Sequence, residues 1–403
     1  MGSFVCRGSV DDGFGPVADA FRKNFEQHGE LGASLCVYVG TQCVIDIAAG
    51  ISEQEWQLPF QRDTLATVFS ATKGLVAMCF LKLEDEGGIN LDQPIAEFWP
   101  EFAKHGKAHI TTRHILNHRA GLAALDMPLT LEDFQDPARI DTAICEMRPM
   151  WLPGLDQGYS ATSFGATTQA IFRRVTGTTL GAWLAEHITG PLGADAFLGT
   201  PDTEHARMAT TYGATPAMIA RWVLPRLASA SSLEGQVYRQ VLFGKGSDTH
   251  RAFTNPTMKP GRFARLNEPA IRRMELPWMN AACTARGLAR AYAPFANDGS
   301  FCGTRIVSAH AIQRVTSRQS WSEHDRVLHK PLGFSQGFLK EQPHLFSPHE
   351  AAFGHSGAGG ALGFADPTRR VAFGYVLNQM HPFVRSPRAI ALCRSLYTVL
   401  GDS

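Results

Sequence analysis

The sequence predicts an α/β (α+β) fold: one antiparallel sheet built from both ends of the chain, with flanking helices and an inserted, mainly helical region. Three observations carry that expectation. β-rich runs lie near both termini, the long middle of the chain is helical in period, and neither a repeat nor a low-complexity linker separates them.

The elements follow in order. Val17, Phe21 and Phe25 recur at i, i+4 and i+8 within 14–29, an amphipathic helix stopped by Gly29. The runs 33–39 and 43–48, separated by Gly40-Thr41-Gln42, read as a hairpin. Helices are expected near 70–86, 111–118, 163–176, 179–188 and 283–297, whereas 200–275 is rich in Pro, Gly, Arg and Met and has no clear period. Beyond the middle, 361–365 and 371–377 flank a turn at Asp366-Pro367-Thr368. In the second run Val371, Phe373, Tyr375 and Leu377 alternate with Ala372, Gly374 and Val376, as in a strand covered on both faces. A helix from about 387 to 400 closes the chain. The expected division places 1–69 and 300–403 in a sheet domain and 70–299 in a helical domain, with the active site in the cleft between them.

Composition narrows the function. Of 403 residues, 44% are hydrophobic and 19% charged, ordinary for a soluble enzyme. With 38 basic and 37 acidic residues the formal charge is +1, so no electrostatic footprint for nucleic acid exists. No apolar run approaches the roughly 20 residues that span a bilayer, and the N-terminus lacks a secretory pattern. Eight dispersed cysteines without a Cys-x-x-Cys pair point to reduced, inert thiols, hence to a cytoplasmic protein.

Three stretches carry chemistry. Val68-Phe69-Ser70-Ala71-Thr72-Lys73-Gly74 holds Ser-x-x-Lys at the start of an apolar helical run, and a spacing of three puts both side chains on one helix face. A serine hydroxyl needs a neighbouring base, and a lysine serves if its pKa falls by about 3 units. With 22 serines and 9 lysines, chance alone supplies about half an occurrence of this spacing, so the motif needs company. The second stretch, Gly158-Tyr159-Ser160-Ala161, places a tyrosine just before a helix, where its phenol can shuttle a proton. The third, Phe353-Gly354-His355-Ser356-Gly357-Ala358-Gly359-Gly360, has the glycine density of a strand approached closely by a ligand or another chain.

Taken together and in this order, the three stretches resemble the penicillin-recognising serine enzymes of class C β-lactamase and DD-peptidase type. Leu91-Asp92-Gln93-Pro94-Ile95 and Leu116-Asn117-His118-Arg119-Ala120-Gly121-Leu122 extend the resemblance to the family VIII carboxylesterases. It runs from about 15 to 400 and is weakest in 200–275. The resemblance implies Ser70 as acylated nucleophile, Lys73 as base or electrostatic partner, and Tyr159 as shared base and proton donor. It also implies an oxyanion hole from the backbone N–H groups of Ser70 and Ala358, beside the substrate-binding residues His355, Ser356 and Gly357. No metal or organic cofactor is implied, and the partner is a small-molecule ester; the oligomeric state is left open.

Two departures matter. Tyr159-Ser160-Ala161 replaces Tyr-x-Asn, so no amide side chain awaits a β-lactam or peptide. His355-Ser356-Gly357 replaces Lys-Thr-Gly, turning a fixed positive charge into a titratable imidazole. Both favour hydrolysis of short-chain or aryl esters over cleavage of penicillins. The alternatives are acyl transfer to a small-molecule acceptor, β-lactamase or D-peptidase activity, and a catalytically silent ligand-binding relative. Gly-x-Ser-x-Gly is absent, which disfavours an α/β-hydrolase elbow. His105, His109, His114 and His118 are interrupted by Gly106 and a β-branched run, so they do not form a metal-binding helix face; His118 is expected to hold a loop bordering the cleft. Trp222, Phe243, Phe253 and Trp278 are candidates either for an acyl pocket or for the core.

Overall fold

The computed structural model describes residues 5–340 and 346–402. Ten strands form one sheet: β1 (Arg7–Val10), β2 (Gly32–Val39), β3 (Gln42–Glu53), β4 (Leu58–Pro59), β5 (Ser320–Ser322), β6 (Leu332–Ser335), β7 (Phe338–Leu339), β8 (Phe353–Ser356), β9 (Leu362–Asp366) and β10 (Val371–Leu377). Their order is β1-β3-β2-β10-β9-β8-β7-β6-β5, with β4 beside β3, and every pairing is antiparallel. The seam between the two chain ends is β2 against β10, where Cys36 lies opposite Gly374.

The alternation in β10 explains how helices stack on both faces. Val371, Phe373, Tyr375 and Leu377 enter the core beneath helices α1 (Gly15–Gln27) and, at the C-terminal end, Pro387–Val399. Ala372 and Val376 face the other way, toward the larger core around α2 (Thr72–Asp85), α3 (Ser163–Thr176) and α4 (Ala285–Ala296), and the C-terminal helix is α5. Small residues on that face let α4 settle on the sheet: a Cβ on Gly374 would run into the Ala285 carbonyl, and one on Gly363 into the Tyr292 ring. Helix α4 falls on the helical side of the expected boundary at 299, yet it packs on β10, β9 and β2.

Helix α2 is buried nearly all round, as a helix in the middle of a core must be. Its N-terminal end points at β8, and that convergence makes the site.

Two regions depart from the sequence reading. The stretch 200–275 is not featureless; it carries short helices, among them Leu224–Ala228, Leu233–Phe243 and Asp248–Thr254. They are too short and too exposed to print a period: Leu224, Leu233 and Phe243 all face solvent. The segment 179–188 begins as a helix at Leu180–Leu184 and finishes in a wider turn at Ala185–Thr189.

Candidate active site

Ser70 lies in the tight helical turn Phe69–Ala71 that leads into α2. Phe69 takes a left-handed φ of 49°, with its ring edge-on to Phe263 at 5.6 Å, and Ser70 is left half-buried between buried neighbours. The turn is pinned on both sides to the segment after Trp278. The Val68 N–H donates to the Ala281 carbonyl at 2.9 Å, and the Ala281 N–H donates to Thr72 Oγ1 at 3.1 Å.

One helical step on, Lys73 is fully buried. Its Nζ reaches Ser70 Oγ at 3.3 Å, the Ala161 carbonyl at 3.0 Å and the Trp278 carbonyl at 3.2 Å. Helices α2 and α3 pack together, Phe80 and Phe172 meeting edge-to-face at 5.3 Å, and Ala161 stands just before α3. The rings of Tyr159 and Phe164 cover the nitrogen at 5.0 and 5.8 Å from their centroids. Among the described residues no carboxylate pairs with it. Burial without a compensating anion lowers its pKa from 10.5 to about 7.

Tyr159 sits on a loop whose three successive amides are all tied down. Gly158 N–H donates to the His118 carbonyl at 3.1 Å, Tyr159 N–H to Asp325 Oδ1 at 3.1 Å, and Ser160 N–H to His118 Nδ1 at 3.0 Å. His118 adopts a left-handed φ of 57°, and its ring centre lies 4.9 Å from that of Tyr159 and 4.3 Å from that of Phe334. It does hold the loop, as its sequence position suggests. Burial, reinforced by Lys73 and His355, keeps its pKa well below the usual value, so it is a neutral acceptor. Burial raises the Tyr159 phenol above its ordinary 10; the Ser70 hydroxyl beside it opposes that shift and Asp325 adds to it. The phenol therefore keeps its proton at neutral pH.

Asp325 is the residue that sequence reasoning missed. Its buried carboxylate accepts from the N–H groups of Tyr159, Val327 at 3.0 Å and Leu328 at 2.9 Å, and from the Gln157 amide at 3.3 Å. In the sequence it shows only as an Asp able to bond its own backbone two and three residues on, which is what any turn-forming Asp does. Thr72 was likewise hidden inside a motif chosen for Ser70 and Lys73.

Strand β8 delivers the third stretch. Gly357 is pressed against the turn before Ser70, where a Cβ would run into the Val68 carbonyl. Its N–H donates to the Ala361 carbonyl at 2.7 Å, and Gly360 N–H donates back to the Gly357 carbonyl at 3.1 Å, a turn that leaves Ala358 half-buried. Ser356 is buried beside it. His355 lies with its ring centre 6.3 Å from that of Tyr159 and its Nδ1 2.7 Å from the Ser356 carbonyl. The expectation of a titratable imidazole needs correcting: burial, together with the nearby Lys73, lowers His355 to about 3. It is a neutral group throughout the physiological range.

The structure thus gathers Ser70, Lys73, Tyr159 and His355 into one cluster, with Gly357 on its edge. Of the four aromatic candidates, Trp278 brings its carbonyl to Lys73 and Trp222 packs on His381 with ring centres 5.2 Å apart. Phe243 and Phe253 are 75% and 39% exposed and belong to no core. The four histidines go separate ways: His105 lies 3.0 Å from Glu146, and His114 caps the helix Thr112–Leu116. Among the described residues no cluster of His, Cys, Asp or Glu could hold a metal ion. No helix among them is long and apolar enough to cross a membrane.

A serine carried on a helix turn, a buried uncompensated lysine one step on, and a phenol beside them form an arrangement suited to a serine hydrolase. Comparison with known proteins agrees. The beta-lactamase family model matches residues 17–394, and the chain belongs to that family. It is 30% identical over 385 residues to the esterase/beta-lactamase LipL of Mycobacterium tuberculosis, covering 95% of this chain and 85% of the relative. A penicillin-binding protein homologue from Caulobacter crescentus superposes with a TM-score of 0.85 at 32% identity, over 98% of this chain and all of that one. A family VIII carboxylesterase does so with a TM-score of 0.85 at 31% identity, over the same shares.

Proposed function

We propose that the protein is a carboxylesterase of the family VIII type, cleaving short-chain or aryl esters through an acyl-enzyme on Ser70. The ester is taken up in the cleft between the sheet formed by 1–69 and 300–403 and the helical region 70–299. The carrying observation is the environment of Lys73: fully buried, without an anion, and held by two carbonyls as well as Ser70 Oγ. As a neutral amine it spends its two N–H bonds on Ala161 and Trp278, which leaves its lone pair for the Ser70 proton.

Acylation then proceeds with every proton accounted for. Ser70 Oγ attacks the ester carbonyl carbon while its proton passes to Lys73 Nζ. The carbonyl oxygen, now negative, is received by the N–H groups of Ser70 and Ala358. As the carbonyl re-forms, the C–O bond to the alcohol breaks, Tyr159 donates its phenolic proton to the departing alkoxide, and Lys73 restores it. Water reverses the sequence: it gives a proton to Lys73, adds to the acyl carbon, and Ser70 leaves reprotonated. Two features support an ester over a β-lactam: the methyl of Ala161 offers no hydrogen bond, and neutral His355 offers no charge to a substrate carboxylate.

The test is stopped-flow hydrolysis of p-nitrophenyl butyrate by wild type and Ser70→Ala, with a chromogenic cephalosporin alongside. We expect a stoichiometric burst and turnover on the ester, little cephalosporin cleavage, and a loss of at least ~10²-fold in the variant. Undiminished ester turnover by Ser70→Ala refutes the assignment.

A further inference from the structure

The helices 219–243 lie in the one stretch where the sequence is silent, and nothing in the proposed chemistry uses them. They lead to the oxyanion loop. That loop, 357–360, is Gly-Ala-Gly-Gly, with φ of 87° and 111° at Gly359 and Gly360, so beyond the turn bond from Gly360 N–H to the Gly357 carbonyl it has only the Ala358 methyl among its own side chains to fix it. A strap at 379–386 does so from outside. His381 N–H donates to the Gly359 carbonyl at 3.0 Å, Met380 fills the space where Gly359 would carry a Cβ, and Ser386 does the same at Gly360.

The strap is itself irregular and is gripped from the helices. The Trp222 ring packs on His381, with centroids 5.2 Å apart, and the Tyr238 hydroxyl donates to the Pro382 carbonyl at 2.6 Å. The Arg226 guanidinium lies 4.5 Å from the centre of the Phe383 ring. Phe383 N–H in turn donates to His381 Nδ1 at 3.1 Å, locking the imidazole that faces Trp222.

We infer that Trp222 and Tyr238 are positioning residues: through the strap at 379–386 they brace the loop that aims the Ala358 N–H at the reacting carbonyl oxygen. The inference rests on the esterase reading and on Ala358 as an oxyanion donor. Neither residue touches the reacting atoms; each acts on the transition state, where a displaced donor counts most.

The experiment compares wild type, Tyr238→Phe, Trp222→Ala and Trp222→Phe on p-nitrophenyl butyrate, with phenylboronic acid as a tetrahedral mimic whose oxygen occupies the same hole. Tyr238→Phe keeps the ring and loses one hydrogen bond, so kcat should fall by about 3- to 10-fold. Trp222→Ala should lower kcat by about 10- to 100-fold, and Trp222→Phe should recover most of it. KM should stay within about twofold, while boronate affinity falls in step with kcat/KM. Wild-type kcat and boronate affinity in both Tyr238→Phe and Trp222→Ala would overturn the brace while leaving the esterase reading intact. If Trp222→Ala does not fold, Tyr238→Phe decides alone. A wild type that turns over no ester removes the esterase reading instead, and the brace with it.

Discussion

Lys73 shows how one residue's surroundings set a pH profile. An ordinary lysine at 10.5 would be neutral in only about 1 molecule in 3,000 at pH 7, too few to serve as a base. Burial brings the group down to about 7, which puts a free lone pair within reach at neutral pH. The sign follows: the protonated amine cannot accept the Ser70 proton, so activity rises as pH climbs through about 7. No fall should appear on the alkaline side until well above pH 9, because burial holds Tyr159 above its ordinary value and His355 does not titrate there. A plot of log kcat/KM against pH should therefore bend once, near 7, with unit slope below the bend. A bend near pH 10 would mean that burial does not lower Lys73, and a flat profile from pH 5.5 to 8.5 would mean that Lys73 is not the base.

At the scale of elements, the proposed chemistry depends on how closely the chain leaving β8 can approach the turn before α2. Gly357 is the contact point, and its missing Cβ is what lets the strand lie on the Val68 carbonyl. Gly357→Ala must push strand and turn apart, separating the N–H groups of Ser70 and Ala358; kcat should drop by about 10²-fold with a smaller change in KM. Retained kcat in a folded Gly357→Ala would show that the strand does not need this approach. The same elements show what a sequence can reveal. Helix α3 at Ser163–Thr176 matches the sequence reading because its buried face imposes a period, and strand β10 at Val371–Leu377 because burial on both faces imposes an unbroken apolar run of alternating large and small residues. The cluster of Ser70, Lys73, Tyr159 and His355 was legible because it comes in short motifs. Asp325 was not, since its partner Tyr159 lies 166 positions away and no spacing rule links them. The strands β5, β6 and β7, at 320–339, were not either: two to four residues each, they are too short to show alternation and exist because β8 offers an edge. Nor were the bracing helices, whose contacts are with a distant strap.

At the scale of the whole molecule, a sheet built from both termini needs something to hold the seam, and a buried ion pair lies there. Arg388, at the start of α5, meets Glu30 just before β2 at 2.9 Å, and both side chains are completely buried. The remaining guanidinium bonds go to the carbonyls of His28, Gly29 and Gln379, and the Tyr375 hydroxyl of β10 donates to Glu30. One cluster thus joins the loop after α1, strand β10, helix α5 and the start of the strap behind the oxyanion loop. Burying two charges costs nearly as much as their attraction returns, so the pair adds little net stability over a well-packed apolar substitute. Breaking it is another matter. Arg388→Met would leave the Glu30 carboxylate buried without a cation and strand three carbonyls, at a cost of about 3–5 kcal/mol. Because folded domains are stable by only about 5–15 kcal/mol, that loss should appear as a large fall in the urea midpoint. Adding Glu30→Gln to Arg388→Met removes the orphaned charge and should recover part of the midpoint, whereas two independent losses would add. Measuring the midpoints of wild type, Arg388→Met, Glu30→Gln and the double variant separates the cases: recovery in the double variant identifies the uncompensated charge as the source of the instability, and simple additivity would show that the two residues do not act as a pair.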